Sequence, residues 1–488
     1  MSKTRTRRRD SQRLATGLSG LDTIWLGGPA RGGAYLIMGR PGAGKTILAS
    51  QICFNHVAAG GRALFVTLLT ESPSRLLHHL GDFEFFDKKQ VGAGIKYVSG
   101  YGVLEQEGLS GLLKLLRRMI RDERPTVLVI DGLLIAGVVA ESELEIKKFI
   151  HELQISVELV GCTVLMLTSE SGSDHYALRT MVDGVLELRF DPFGMSIVRT
   201  VEVVKSRGTD FLPGRHRLEI RKQGLVIYPR IETALNASAE RRRPPGPRLP
   251  FGIEGLDAML SGGLPPASVT MLLGAAGSGK TLLGLSFLAA GAHAREPGLF
   301  LGFSETPAEL IQNAQGLDGL ARQLKSKHVG FLWQRPGAAT IPDAVAHRVL
   351  DQVKARGVRR LFIDGTAGLK DFFFDPARTV EFFSVLCNEL RRLGVATILA
   401  EETRDLFGPA IELSMSALAP MPDTIIVLRH VELRAKLHRL ISVMKMRGGS
   451  NDSALREFVI SSRGLELSST FDSAEAVLSG VARMQPER

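Results

Sequence analysis

One feature limits what this chain can fold into more than any other: it carries the same short loop twice. Residues 39–46 read "GRPGAGKT" and residues 274–281 read "GAAGSGKT". Both fit G-x-x-x-x-G-K-[ST], the glycine-rich loop that cradles nucleotide phosphates. The flanking sequence repeats in register. "TGLSGLDTIWLGG" at 16–28 answers "FGIEGLDAMLSGG" at 251–263, and Gly20/Gly255 and Lys45/Lys280 are each 235 apart. Glu71 in "TESP" answers Glu305 in "SETP" at 234, Asp131 in "LVIDG" answers Asp364 in "LFIDG" at 233, and "KSRG" at 205–208 answers "KMRG" at 445–448 at 240. Five ordered features at nearly one spacing make a tandem duplication.

A chain of 488 residues is too long for a single core. The repeat divides it into a basic disordered tail (1–12), an ATPase domain (13–234), an Arg/Pro-rich linker (235–249), a second ATPase or kinase domain (250–470) and a C-terminal tail (471–488). Within each half, short apolar runs alternate with helical stretches. "AYLIMG" and "SVTMLLG" lead into the loops; "ALFVTLL", "TVLVID" and "CTVLMLT" follow in the first half, and "GLFLGF", "RLFID" and "ATILAE" in the second. Such runs separated by helices predict an α/β fold, a mostly parallel sheet covered on both faces. The late segments around 184–206 and 424–446 alternate like hairpin strands at a sheet edge.

The loop chemistry follows from its residue types. Gly39, Gly42 and Gly44, with Gly274, Gly277 and Gly279, let successive backbone N–H groups converge on phosphate oxygens at a helix N-terminus. Lys45 and Lys280 reach the β- and γ-phosphates of ATP, and Thr46 and Thr281 hold Mg²⁺. Asp131 and Asp364 close apolar strands 86 and 84 residues after the loop lysines, where a carboxylate holds the metal directly or through its water. Glu71 and Glu305 follow the next strand and are placed to orient the attacking water; the competing reading is the start of a helix. Lys205 with Arg207, and Lys445 with Arg447, alternate and so share a face. They serve their own nucleotide, project into a neighbouring subunit's site, or form a solvated edge.

The net charge of +10 (61 basic, 51 acidic) raises nucleic acid as a partner. Much of that excess is local, in Arg5, Arg7, Arg8 and Arg9 and in Arg241–Arg243, without the interleaved aromatics of single-strand binders. Nucleic acid is therefore not the expected partner, and a recombinase-like ATPase acting on single-stranded DNA stands as the alternative reading, beside a non-hydrolysing ATP-dependent scaffold. No apolar run is long enough to span a membrane, and Cys53, Cys162 and Cys387 show no metal-ligand spacing. Reduced buried thiols and a cytoplasmic address are expected.

The twin "GLD…GG", loop, "IDG" and "KxRG" sets resemble the RecA-like ATPases, and their order and duplication resemble the KaiC family of bacterial clock-type proteins. Residues 422–464, "PDTIIVLRHVELRAKLHRLISVMKMRGGSNDSALREFVISSRG", look like the end of that family's second domain. The resemblance covers about residues 13–480. It implies a double-ring homohexamer with ATP between subunits, the first ring an ATPase and the second an autokinase and phosphatase. It also implies that Lys205, Arg207, Lys445 and Arg447 contact the neighbouring protomer's ATP.

The chain departs from the family in three places. Thr70–Glu71 and Ser304–Glu305 stand where the family has paired glutamates. Loss of a positioned base costs about 10²–10⁴ in rate, so slow turnover is expected unless Glu401 and Glu402 substitute. Ala419 and Pro420 stand where the family carries its Ser-Thr phosphoacceptors, leaving Ser414, Ser416 and Thr424 as the nearest hydroxyls. The tail from residue 471 keeps the shape of a segment that regulatory proteins engage.

Overall fold

A computed structural model describes residues 12–169, 175–193, 196–235, 246–317, 319–335, 337, 340–403, 421–433, 436–447, 452–462 and 464–468. The chain separates into two compact units, Met1–Ala234 and Leu235–Arg488.

The first unit holds nine strands: β1 (Ala34–Met38), β2 (Ala63–Thr67), β3 (Ile95–Ser99), β4 (Val127–Asp131), β5 (Thr163–Thr168), β6 (Gly184–Phe193), β7 (Ser196–Ser206), β8 (His216–Arg221) and β9 (Gly224–Tyr228). They lie in the order β3-β2-β4-β5-β1-β6-β7-β8-β9. The second unit repeats that order as β12-β11-β13-β14-β10-β15-β16-β17-β18. Its strands are β10 (Val269–Gly274), β11 (Gly298–Gly302), β12 (Val329–Trp333), β13 (Arg360–Asp364), β14 (Ala396–Glu402), β15 (Thr424–Leu433), β16 (Lys436–Met446), β17 (Arg456–Ser461) and β18 (Gly464–Leu467). In each sheet the first six strands in the order pair in parallel and the last three antiparallel. The α/β class expected from the sequence, two tandem RecA-like domains, is what folds.

The central parallel strands are buried and largely apolar because both faces are covered. Along β4, Val127 and Val129 join the core under the helix Lys45–Ala58. Leu128 and Ile130 join the opposite core with Leu112, Leu116, Phe149 and Leu153 of the helices Tyr101–Glu123 and Glu143–Glu158. Period-two alternation thus feeds two cores from one strand. In the second unit Phe362 of β13 packs on Phe300 and on the helix Lys280–His293.

The late hairpins differ from the sequence expectation. β6 and β15 are internal, paired to β1 and β10, and the edge on the hairpin side of each sheet belongs to β9 and β18. The expectation missed β8–β9 and β17–β18, whose addition moves the hairpin inward. The "GLD" repeat is structural. Asp22 accepts hydrogen bonds from the Thr16 N–H and hydroxyl and the Gly17 N–H. Asp257 accepts from the N–H groups of Phe251, Gly252 and Ile253, so each aspartate fixes the turn that leads into its domain.

Candidate functional site

Parallel strands put all their carboxyl ends on one rim, and in open α/β sheets ligands bind there. β1 delivers the first glycine-rich loop to that rim and β10 the second. Gly44 and Gly279 are the N-caps of the helices Lys45–Ala58 and Lys280–His293, with φ of 102° and 100° and no side-chain cap. A left-handed N-cap without a capping side chain leaves the first-turn N–H groups pointing outward at the positive end of the helix dipole. Gly39 is needed for a different reason: a Cβ there stands 2.2 Å from the Leu188 carbonyl oxygen on β6.

Each loop brings its lysine and threonine into the same arrangement. Lys45 Nζ donates to the carbonyls of Gly39 (2.6 Å) and Arg40 (3.1 Å). Lys280 Nζ donates to Gly274 (2.8 Å) and Ala275 (2.7 Å). The Thr46 hydroxyl donates to Asp131 Oδ2 at 2.7 Å, and the Thr281 hydroxyl to Asp364 Oδ2 at 2.8 Å. Residues 85 and 83 positions apart therefore meet at the base of each loop. Burial raises the pKa of Asp131, opposed by the Thr46 hydrogen bond and by Lys45, while Glu71 pushes it further up. Asp364 is raised for the same reason, opposed by Thr281 and Lys280, with Glu305 pushing upward. A hydroxyl and a desolvated carboxylate in contact beside a cationic loop are hard oxygen donors that suit Mg²⁺.

Glu71 and Glu305 lie one residue before helix N-caps. Ser72 caps the helix Pro73–Leu80, and Thr306 caps Pro307–Asn313 in a capping box with Glu309. The helix-start reading and the site-facing reading thus fall on adjacent residues. Glu71 is 3.6 Å from Arg75 and 3.6 Å from His79, one and two turns along its helix. Glu305 accepts from the Asn313 amide at 2.9 Å, so the Arg75 guanidinium faces the first carboxylate and a neutral amide holds the second.

The second unit has more carboxylates at its loop. β14 pairs with β10 in the register Leu273↔Glu401 and Gly274↔Glu402, which sets Glu402 beside the first loop glycine. Burial lowers the Lys280 pKa, opposed by Glu402, then Asp364 and Glu401. In the first unit the corresponding register is Met38↔Thr168. Thr168 and Ser169 occupy those places, and neither is a carboxylate.

Lys205 and Arg207 stand at the other end of the sheet. Lys205 pairs with Val185, and Val185 with Leu36 of β1. The Arg207 N–H donates to Asp183 O, and Asp183 Oδ2 accepts from the Ala34 N–H. Arg207 is thus level with the start of β1, roughly 16 Å from the loop at its end, at 3.3 Å per residue. Lys205 Nζ donates to the carbonyls of Arg179, Thr180 and Val182, and Arg207 Nη2 donates to Thr180 O at 2.7 Å. Lys445 and Arg447 repeat the frame, with Lys445 paired to Ile425 and the Arg447 N–H bonded to Asp423 O. A β-bulge precedes each lysine, at the register shifts Val185/Leu186 and Ile425/Ile426.

Sequence reasoning missed a cavity of about 540 Å³ in the second unit, lined by Thr281 and Glu305 with Leu282, Leu310, Leu317 and Ile460. It forms where three distant segments converge, so no spacing announces it. Of the hydroxyls nearest the absent acceptor pair, Thr424 is fully buried in β15; Ser414, Ser416, Ala419 and Pro420 lie outside the described residues. So do Arg5–Arg9, Arg241–Arg243 and the tail from 471. Among the described residues no helix is long and apolar enough to cross a membrane, and Cys53, Cys162 and Cys387 are buried free thiols.

Comparison with known proteins matches this sequence to a family. A family model described as "ATPase: KaiC" fits residues 14–232 and again 249–470. The circadian clock oscillator protein KaiC of Picosynechococcus sp. is 28% identical over 486 residues, covering 96% of this chain and 92% of its own length. KaiC 1 of Synechocystis sp. is 28% identical over 490 residues (97% and 92%). The KaiC of Synechococcus elongatus is 27% identical over 483 residues (96% and 91%).

Proposed function

The chain belongs to the KaiC ATPase family, and from that premise we propose that both halves bind and hydrolyse ATP, each completed by a neighbouring protomer in a double-ring homohexamer. The observation that carries the reading is the Thr–Asp contact at the base of each loop, which assembles a metal-binding pair in both units from residues far apart in sequence. Thr46 with Asp131, and Thr281 with Asp364, hold Mg²⁺, which neutralises charge on the β- and γ-phosphates. First-turn N–H groups bind the phosphate oxygens, and Lys45 and Lys280 turn from their loop carbonyls to the γ-phosphate. The apolar cavity beside Thr281 is of the size that takes a nucleobase and sugar. Glu71 and Glu305 position the lytic water. Lys205, Arg207, Lys445 and Arg447, held at the far end of the sheet, stabilise charge on the adjacent subunit's γ-phosphoryl group.

Autokinase activity requires a non-standard acceptor, and burial removes Thr424 from the choices. The test is intact mass after incubation with ATP and Mg²⁺, with phosphate release followed in the same tube. We expect released phosphate at a slow rate. A phosphoryl adduct lost in Lys280→Ala adds autokinase activity, and peptide mapping then locates the acceptor. ATP-dependent assembly with neither phosphate nor adduct overturns hydrolysis and leaves an ATP-binding scaffold.

A further inference from the structure

We propose that Glu402 is the general base of the second half, so that the two halves hydrolyse ATP with different residues. The inference rests on reading residues 274–281 as an ATP site. Glu402 closes β14 directly beside Gly274, and the next residue, Thr403, donates its N–H to the Gly274 carbonyl at 3.1 Å. The carboxylate is exposed on the rim that carries the loop, and it is the foremost opposite charge acting on Lys280. Its neighbour cannot take the role. Glu401 is buried and committed to the Thr366 hydroxyl and the Lys370 ammonium. Those contacts anchor the residue before Glu402. In the first half, Ser169 occupies the corresponding place beside Gly39, one residue beyond the Met38↔Thr168 pair. A serine hydroxyl cannot accept a proton at neutral pH, so among the described residues at the first loop Glu71 is the carboxylate left for that role.

The step balances without a further reactant. The lytic water attacks the γ-phosphorus as Glu402 takes its proton. The bond from γ-phosphorus to the bridging oxygen breaks, the electron pair leaves with ADP, and the proton passes from Glu402 to solvent with phosphate release.

The experiment uses the full chain with Lys45→Ala, which silences the first half. Adding Glu402→Gln is expected to lower kcat for phosphate release by about 10²–10⁴, with the affinity for a fluorescent ATP analogue unchanged within about twofold. Glu402→Asp is expected to recover part of the rate, and Glu305→Gln to cost less than Glu402→Gln. Unchanged turnover in Glu402→Gln overturns the proposal. So does a loss of affinity that accounts for the whole loss of rate, and so does a Lys45→Ala parent that binds nucleotide without turning it over. If that parent binds no nucleotide, the ATP-site reading of residues 274–281 fails first.

Discussion

Replacing Asp131 and Asp364 together by asparagine should lower phosphate release by about 10²–10³ or more, and at the same time raise the thermal midpoint of the nucleotide-free protein. The first effect follows from charge. A carboxylate that holds the metal contributes several kcal/mol to the transition state, and each 1.36 kcal/mol is about tenfold in rate. The second follows from burial. Both aspartates sit in low dielectric with their pKa values raised, desolvation being the largest cause in each. A carboxyl group with a raised folded-state pKa contributes stability that is complete below its unfolded value of about 3.9 and lost as pH rises through the folded value. At neutral pH each ionised aspartate therefore works against the fold. Asparagine keeps an oxygen for the Thr46 or Thr281 hydroxyl and carries no charge to desolvate. The gain in midpoint should shrink as pH falls through that window, because the parent's aspartates then become neutral too. Scanning calorimetry across pH, beside phosphate release, checks both halves. A variant that hydrolyses ATP at the parent rate sinks the assignment of the metal-holding pair.

That conflict between stability and use explains what the sequence showed and what it hid. The loop glycines, Lys45, Lys280 and the two strand-ending aspartates were legible because local chemistry fixes their residue types. That spacing converges N–H groups on a phosphate, and an aspartate closing an apolar strand is conspicuous. β1, β2, β4, β5 and their repeats were legible because burial on both faces forces continuous apolar runs. The partly exposed β3, with burial falling along "IKYVS", lacks that run, and so does the alternating β8, "HRLEIR". What stayed hidden was set by register between strands distant in sequence. Only pairing shows that Glu402, and not Glu401, lies open beside Gly274, or that Thr366 and Lys370 occupy Glu401. Alternation placed Lys205 and Arg207 on one face, but it could not say at which end of the sheet. That end decides whether they serve their own loop.

Mixing two inactive proteins should therefore restore activity. In a Lys280→Ala background, where only the first half turns over, Arg207→Ala is expected to lose about 10³–10⁵ of the rate, the range for a cationic finger acting on a transferring phosphoryl group. Arg207 Nη2 donates to the Thr180 carbonyl, at the same helix end where Lys205 Nζ donates to three carbonyls. The thermal midpoint of Arg207→Ala, measured beside its rate, separates a lost cationic finger from a loosened fold. Lys45→Ala in the same background has an intact arginine and a disabled loop. If the arginine acts within its own chain, no mixture contains a chain with both parts, and mixed rings stay silent. If it acts across the interface, an intact loop from the Arg207→Ala chain meets an intact arginine from its Lys45→Ala neighbour. In a head-to-tail ring assembled at random from equal amounts, that pairing occurs at about one interface in four. Phosphate release should then return to roughly a quarter of the Lys280→Ala parent's rate after subunit exchange. Silent mixtures from rings shown by native mass to contain both chains would place Arg207 at its own nucleotide, against the register that sets it level with Ala34.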